Sequence, residues 1–151
     1  MLYLITILVI VLDQVTKYAA VKYLKGNSPY VIIEKFLQLY YVENYGAAFG
    51  ILQNKKIFFV IITSMVIISI IFFLYKNPYN LNKPMQIALA MLLGGSIGNL
   101  IDRIRLGYVI DFISTKFGKG YDFPVFNVAD MFIVISTFLI VIMVLFNRYE
   151  A

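Results

Sequence analysis

Four runs of mostly apolar residues punctuate the chain, at 2–21, 57–75, 85–101 and 128–146. Each is near the roughly 20 residues that a helix needs to cross the hydrocarbon of a bilayer. The second and third runs carry no charge, and the fourth carries only Asp130. Their many Ile and Val residues would favour strands in water. In lipid every backbone N–H and C=O must find a partner within its own segment, so the pattern predicts helices. The expected fold class is an all-α membrane protein with four transmembrane helices, forming one domain over 1–151. The first run holds Asp13, Gln14 and Lys17, and lacks a basic leader and a small-residue cleavage site; it reads as a retained span.

Three connections join the spans. Within 22–56, the aromatic and aliphatic stretch 36–42 alternates weakly and predicts a short strand or hairpin at the membrane surface. The 76–84 connection is a short polar turn, and 102–127 is punctuated by Gly107, Gly118, Gly120 and Pro124. A small extramembrane β-like element at one face therefore accompanies the helices. Four spans place both long connections on one side, and both ends with 76–84 on the other. The polar residues that are costly in a membrane gather towards the long-connection side.

Composition narrows the chemistry. Hydrophobic residues make up 62% of the chain, charged residues 14%, and the mean hydropathy is +0.86. A chain of 151 residues cannot bury so much apolar surface in water, which excludes a soluble domain, a disordered chain and a nucleic-acid binder. A net charge of +5 in such a protein points to lipid headgroups, so membrane lipids are expected partners. With Cys 0 and His 0, thiol nucleophiles, serine–histidine triads and imidazole or thiolate metal sites are all absent. No metal and no cofactor is expected. Hydrolysis would have to rest on carboxylates or on a serine–lysine pair.

The candidate residues each have a structural reading beside a chemical one. Asp13 and Lys17 are one helical turn apart, suited to an ion pair that braces a site. Segment 44–50, Asn-Tyr-Gly-Ala-Ala-Phe-Gly, is either a turn re-entering the second span or a substrate-facing loop. Gly94 and Gly98 suit close helix packing, while Gly95, Asn99 and Arg103 share another stripe. Asp102 and Arg103 read as interfacial charges, Asp102 pairing locally with a basic group. Asn127 is a good N-cap with Asp130 at the third helical position, which a helix start alone would explain. Asp111, among Tyr108, Val109, Ile110 and Phe112, is not explained that way. Two carboxylates converging at one membrane face can share a proton and activate water.

In combination these motifs carry a resemblance. Asp13-Gln14-x-x-Lys17, Asn44-x-Gly46-Ala47-Ala48-Phe49-Gly50, Gly94-Gly95-x-x-Gly98-Asn99-x-x-Asp102-Arg103, Val109-x-Asp111-Phe112 and Phe126-Asn127-x-Ala129-Asp130 resemble, in order, the motifs of lipoprotein signal peptidases (signal peptidase II). The resemblance implies an aspartic endopeptidase of the bacterial inner membrane that cuts diacylglyceryl-modified prolipoproteins before the lipidated cysteine. It implies Asp111 and Asp130 as the catalytic pair and Asn44, Asn99, Arg103 and Asn127 as substrate-binding residues. Asp13, Lys17, Gly46, Ala47, Gly98, Asp102 and Ala129 match supporting positions. A monomer is expected, with its active site on the extracytoplasmic face and both termini in the cytoplasm. Counting Lys and Arg across the connections predicts the opposite orientation.

Between the aspartates, the helix start favours negative charge at Asp130 and the apolar neighbours favour a proton on Asp111. The rival expectation is a small ion- or proton-coupled transporter using Asp13, Lys17 and Asp130 as a relay. The polar residues cluster at one face and do not continue across the bilayer, which weighs against it. A non-catalytic subunit of a membrane complex would leave Asp111 without a purpose.

Overall fold

A computed structural model describes residues 2–46, 52–76, 81–117 and 121–150. Its helices are α1 (Leu2–Leu24), α2 (Lys56–Lys76), α3 (Lys83–Arg105) and α4 (Val128–Leu145), and all four are long and apolar enough to cross a membrane. They enclose the first three predicted spans, and α4 ends one residue short of the fourth. The strands are β1 (Tyr30–Ile33), β2 (Leu37–Asn44), β3 (Val109–Phe117) and β4 (Tyr121–Asp122). They form one antiparallel sheet in the order β1-β2-β3-β4.

The sheet is larger than the 36–42 stretch predicted. The register of β1 on β2 breaks between Val31 and Ile33, and that of β2 on β3 between Leu39 and Val42. Such bulges twist a strand and spoil strict alternation, which is the signal a sequence offers. The most exposed apolar strand is β1, whose Tyr30, Val31, Ile32 and Ile33 are all exposed, while β2 is half-buried throughout.

Helix α3 is the central element, packed against the other three. Its polar start is set by Asn82, whose side chain accepts the Met85 N–H at 3.0 Å, with Pro84 just inside the helix. It ends at Gly107, whose φ of +90° suits glycine at the residue that turns the chain into β3. The small residues along α3 determine its neighbours. A Cβ on Gly94 would fall 2.7 Å from Val9 Cβ and 2.9 Å from the Thr6 carbonyl oxygen, and one on Gly98 would meet the Asp13 carboxylate. A Cβ on Gly95 would fall 2.7 Å from the Ala129 carbonyl oxygen on α4. Adjacent glycine stripes thus bring α1 against one side of α3 and α4 against another.

The buried residues of α1, Thr6, Val9, Asp13, Lys17 and Ala20, form a single stripe at helical spacing. Helix α2 has one buried residue, Ile70, and otherwise presents apolar side chains outward, as a lipid-facing helix does. Gly94→Ala is expected to destabilise the bundle by about 1–3 kcal/mol through overpacking against the α1 backbone. Thermal unfolding in detergent checks this; an unchanged midpoint would mean that α1 can move away freely.

Candidate active site

The sheet and the helix starts bring the polar residues together. In β2 and β3, Asn44 stands opposite Val109 and Val42 opposite Asp111. Asn44 and Asp111 are therefore diagonal neighbours on one face, and Asn44 Nδ2 donates to Asp111 Oδ2 at 2.8 Å. Asn127 caps α4. Its Oδ1 accepts the Asp130 N–H at 2.9 Å, and Asp130 Oδ2 accepts the Asn127 N–H at 3.1 Å, a complete capping box. The other end of the same amide, Asn127 Nδ2, donates to Asp111 Oδ1 at 2.7 Å and to Asn99 Oδ1 at 3.2 Å. Asn99 Nδ2 donates to Asp130 Oδ1 at 2.7 Å. One asparagine thus touches both carboxylates, and all four of their oxygens accept an N–H.

Behind this pair lies a buried ion cluster. Lys17 Nζ is 2.9 Å from Asp13 Oδ2, from Asp102 Oδ2 and from Asn99 Oδ1. Asp102 was expected at the interface with a local partner. It is instead 3% exposed, and its cation comes from α1. The pairing is long-range because Gly98, one turn earlier in α3, lets α1 approach closely. Gln14 adds an amide to the same group, donating to Asp102 Oδ1 at 3.1 Å and to Asp13 Oδ2 at 3.2 Å. Asp13 Oδ1 accepts the Ala129 N–H at 3.0 Å, and Asp102 Oδ2 accepts the Ile110 N–H at 3.1 Å. Those N–H groups belong to the residues immediately before Asp130 and Asp111.

The two carboxylates open onto a cavity of about 520 Å³ lined by Asn44, Gly46, Asn99, Arg103, Asp111 and Asp130, with an apolar wall from Phe123–Phe126 and the α4 residues Met131 and Ile133–Ile135. The Arg103 guanidinium sits 5.0 Å from the centre of the Phe59 ring. Of the residues expected to bind substrate, Asn44, Asn99 and Arg103 reach this cavity. Asn127 is fully buried behind the carboxylates, its amide spent on them. Asn44 also uses its amide internally, since Oδ1 accepts the Gly46 N–H at 3.0 Å. Asp13, Lys17, Gly98, Asp102 and Ala129 stand in the supporting layer. Ala47 lies outside the described residues, as does the side chain of Asp122.

Sequence reasoning passed over two groups. The α4 part of the apolar wall, Met131 and Ile133–Ile135, reads in sequence as ordinary membrane span, and Phe123–Val125 as part of a connection. The other group surrounds Glu43 on β2, which accepts from Tyr45 Oη at 2.8 Å and from Lys25 Nζ and Tyr41 Oη at 3.0 Å. These partners, Lys25 foremost, hold the Glu43 carboxyl down at about 2. Tyr45 also packs its ring 5.2 Å from Tyr108, so this surface cluster secures the strand end that carries Asn44. Its members come from the turn after α1, from β2 and the residue that follows it, and from the turn before β3, and no local spacing links Lys25 or Tyr108 to Glu43.

The fold and site define a polytopic membrane protein with paired carboxylates at one end of its bundle, facing an apolar groove. Comparison with known proteins narrows this. A family model described as signal peptidase (SPase) II matches residues 5–146, and the chain belongs to that family of membrane peptidases. Similar curated proteins named lipoprotein signal peptidase include one from Caldanaerobacter subterraneus subsp. tengcongensis, 52% identical, the match covering 92% of each chain. Another, from Staphylococcus aureus, is 44% identical, covering 94% of this chain and 86% of that one. A solved structure described as a bacterial membrane enzyme studied in meso at 2.3 Å superposes with a TM-score of 0.85 at 43% identity, covering 94% of this chain and 85% of that one.

Burial, first, and then the charge of Asp130 push the Asp111 carboxyl up to about 7 from its ordinary 3.8, the direction its apolar neighbours predict. The folded protein therefore holds this proton more tightly than the unfolded chain does. As pH rises from about 4 to about 7 the unfolded chain releases it first, so this group's contribution to stability is lost across that window. Asp111→Asn should flatten the dependence of the unfolding midpoint on pH in that range and raise the midpoint at pH 8. Thermal unfolding of both proteins across the range measures it; parallel curves would show that Asp111 is not the group responsible.

Proposed function

We propose that the chain is an aspartic endopeptidase that removes the signal peptide from diacylglyceryl-modified prolipoproteins, cutting before the lipidated cysteine. The observation that carries this reading is Asn127, hydrogen-bonded to both Asp111 and Asp130 at the mouth of a groove with an apolar wall. A lipid-modified peptide needs both surfaces, a polar pair for the scissile bond and an apolar channel for its chains. The family membership and the relatives' names support the same substrate.

In this scheme Asp130 is ionised and Asp111 protonated. Asp130 stands in the first turn of α4, where unpaired backbone N–H groups and the helix dipole favour negative charge. Asp130 takes a proton from water as the oxygen attacks the scissile carbonyl carbon. Asp111 gives its proton to the carbonyl oxygen, leaving a tetrahedral diol. Asp130 then passes its proton to the departing amide nitrogen, and Asp111 recovers one from a diol hydroxyl as the C–N bond breaks. Asn44 and Arg103 face the groove where the peptide would lie. The enzyme acts as a monomer, both carboxylates and the groove coming from one chain.

The site then faces the outside of the bacterial inner membrane, with both termini in the cytoplasm. The excess of basic residues on the long-connection side points the other way, and the family's orientation is preferred to that statistical count, some of whose charges the protein itself engages. Lys25 is paired with Glu43, Lys22 sits over the Tyr23 ring, and Arg103 lines the groove.

Purified protein in detergent should cleave a lipid-modified prolipoprotein and leave the unmodified precursor uncut. Asp111→Asn and Asp130→Asn, checked to be folded, should each lower kcat by roughly 10²–10⁴-fold. Equal cleavage of both precursors would remove the lipid from the reading. Retention of activity in either variant would overturn the dyad, and substrate-independent proton flux in liposomes would favour a transporter.

A further inference from the structure

We propose that Lys17 is a positioning residue for the reaction: it fixes which end of the Asn99 carboxamide faces Asp130, and so keeps an N–H donor on the carboxylate that activates water. This rests on the aspartic reading above and goes beyond bracing two helices.

The ammonium has three protons and three acceptors, Asp13 Oδ2, Asp102 Oδ2 and Asn99 Oδ1, all at 2.9 Å. Its side chain is 2% exposed. With every proton committed, Lys17 has none to offer a substrate and no lone pair with which to act as a base. What it can do is orient. Asn99 Oδ1 accepts from Lys17 and, at 3.2 Å, from Asn127 Nδ2, so Nδ2 of Asn99 is left to point at Asp130 Oδ1, 2.7 Å away. Turning the amide over would set its oxygen against a carboxylate and its NH2 group against an ammonium and a second amide N–H. Both ends of the wrong orientation are repulsive in a buried place where such terms are weakly screened.

The other two asparagines at the site are fixed without a charge. The Gly46 N–H holds Asn44 Oδ1, and the Asp130 N–H holds Asn127 Oδ1. Asn99 lies inside α3, where the backbone N–H groups are spent on the helix and none is free to hold its side chain. External donors are required: the cap of α4 supplies the Asn127 amide at 3.2 Å, and α1 supplies the closer and charged one at 2.9 Å. The Lys17–Asn99 pair therefore sets an N–H donor, and not a lone pair, against the carboxylate that takes the proton from water.

Activity against pH tests this, because its acid limb reports the first ionisation of the pair. The charged groups that act on the pair are Arg103 from α3, Lys17 from α1 and each aspartate on the other, with Asp13 and Asp102 behind them on Lys17, and Asn99 donates to Asp130. Removing Lys17 alone also removes a positive charge, which by itself would move the limb. The informative variant is therefore Lys17→Met with Asp13→Asn. It leaves Asp102 as the cluster's single charge, and so keeps the native sum of −1 from two carboxylates and one ammonium. The acid limb should move up by about one pH unit, with kcat falling roughly tenfold and KM within about threefold, measured per folded enzyme on the lipid-modified precursor. Asn99→Ala, which leaves the ion cluster in place, should give the same shift on its own. Adding Lys17→Met and Asp13→Asn to Asn99→Ala should produce no further shift, since both act on one donor.

An acid limb that stays put in Asn99→Ala overturns the proposal, whether or not the Lys17 variant folds. So does a further shift in the triple variant, which would mean Lys17 acts without Asn99. An active Asp130→Asn enzyme would instead remove the aspartic reading beneath it, a result that neither Lys17 nor Asn99 variants can mimic.

Discussion

One ammonium ion, buried where water cannot reach it, is the constraint around which the site is built. Lys17 and Asp13 are both hidden on α1, and a charge without a partner there would cost several kcal/mol. Asp102 joins them from α3, and each carboxylate keeps a lone pair for a backbone N–H. Those N–H groups belong to Ile110 and Ala129, the residues just before Asp111 and Asp130. Satisfying the ammonium therefore also ties down the chain on the approach to Asp111 and to Asp130. Gly98 makes the arrangement possible, because any side chain there would displace the Asp13 carboxylate.

The start of α4 shows why a structural explanation and a chemical one need not compete. Asn127 and Asp130 form a capping box that would be unremarkable at any helix start. The box uses the oxygen of the Asn127 amide and one oxygen of the Asp130 carboxylate. Asn127 keeps its NH2 group, which reaches Asp111 and Asn99, and Asp130 keeps its other oxygen, which reaches Asn99 and the groove. The cap fixes the geometry, and the atoms left over form the site.

The spans were legible because the bilayer imposes a length and forbids unpaired backbone, so composition and run length suffice. The capping box and the two glycine stripes were legible for a similar reason: each is a rule about residues within a few positions of one another. The partner of Asp102 was not, since Lys17 lies at the far end of the sequence from it and only the meeting of α1 with α3 brings them together. The full sheet was hidden by bulges that break alternation, and the burial of Asn127 by the fact that a cap is usually solvated. The α4 wall of the groove, Met131 and Ile133–Ile135, was hidden differently, because an apolar residue in a membrane sequence carries no mark saying whether it faces lipid or a groove. The motifs named residues that the fold brings together around Asp111 and Asp130. They could not say which amide touches which oxygen, and that detail decides whether a carboxylate is held ionised or neutral.

The two aspartates come from different kinds of structure, and this fixes the depth of the site. Asp111 lies on a strand of an open sheet, and a sheet edge exposed to lipid leaves backbone groups unpaired, so the strand must stay out of the hydrocarbon. Asp130 lies in the first turn of a spanning helix, so it cannot rise far above the hydrocarbon without drawing apolar residues into water. The plane that satisfies both is the membrane surface. A peptide bond held between them, on the proposed reading, has an apolar segment in lipid on one side and a polar chain in water on the other. That is the geometry of a signal peptide joined to a secreted protein. A dyad built wholly from helices could sit at any depth, whereas this pairing of sheet and helix start admits only one.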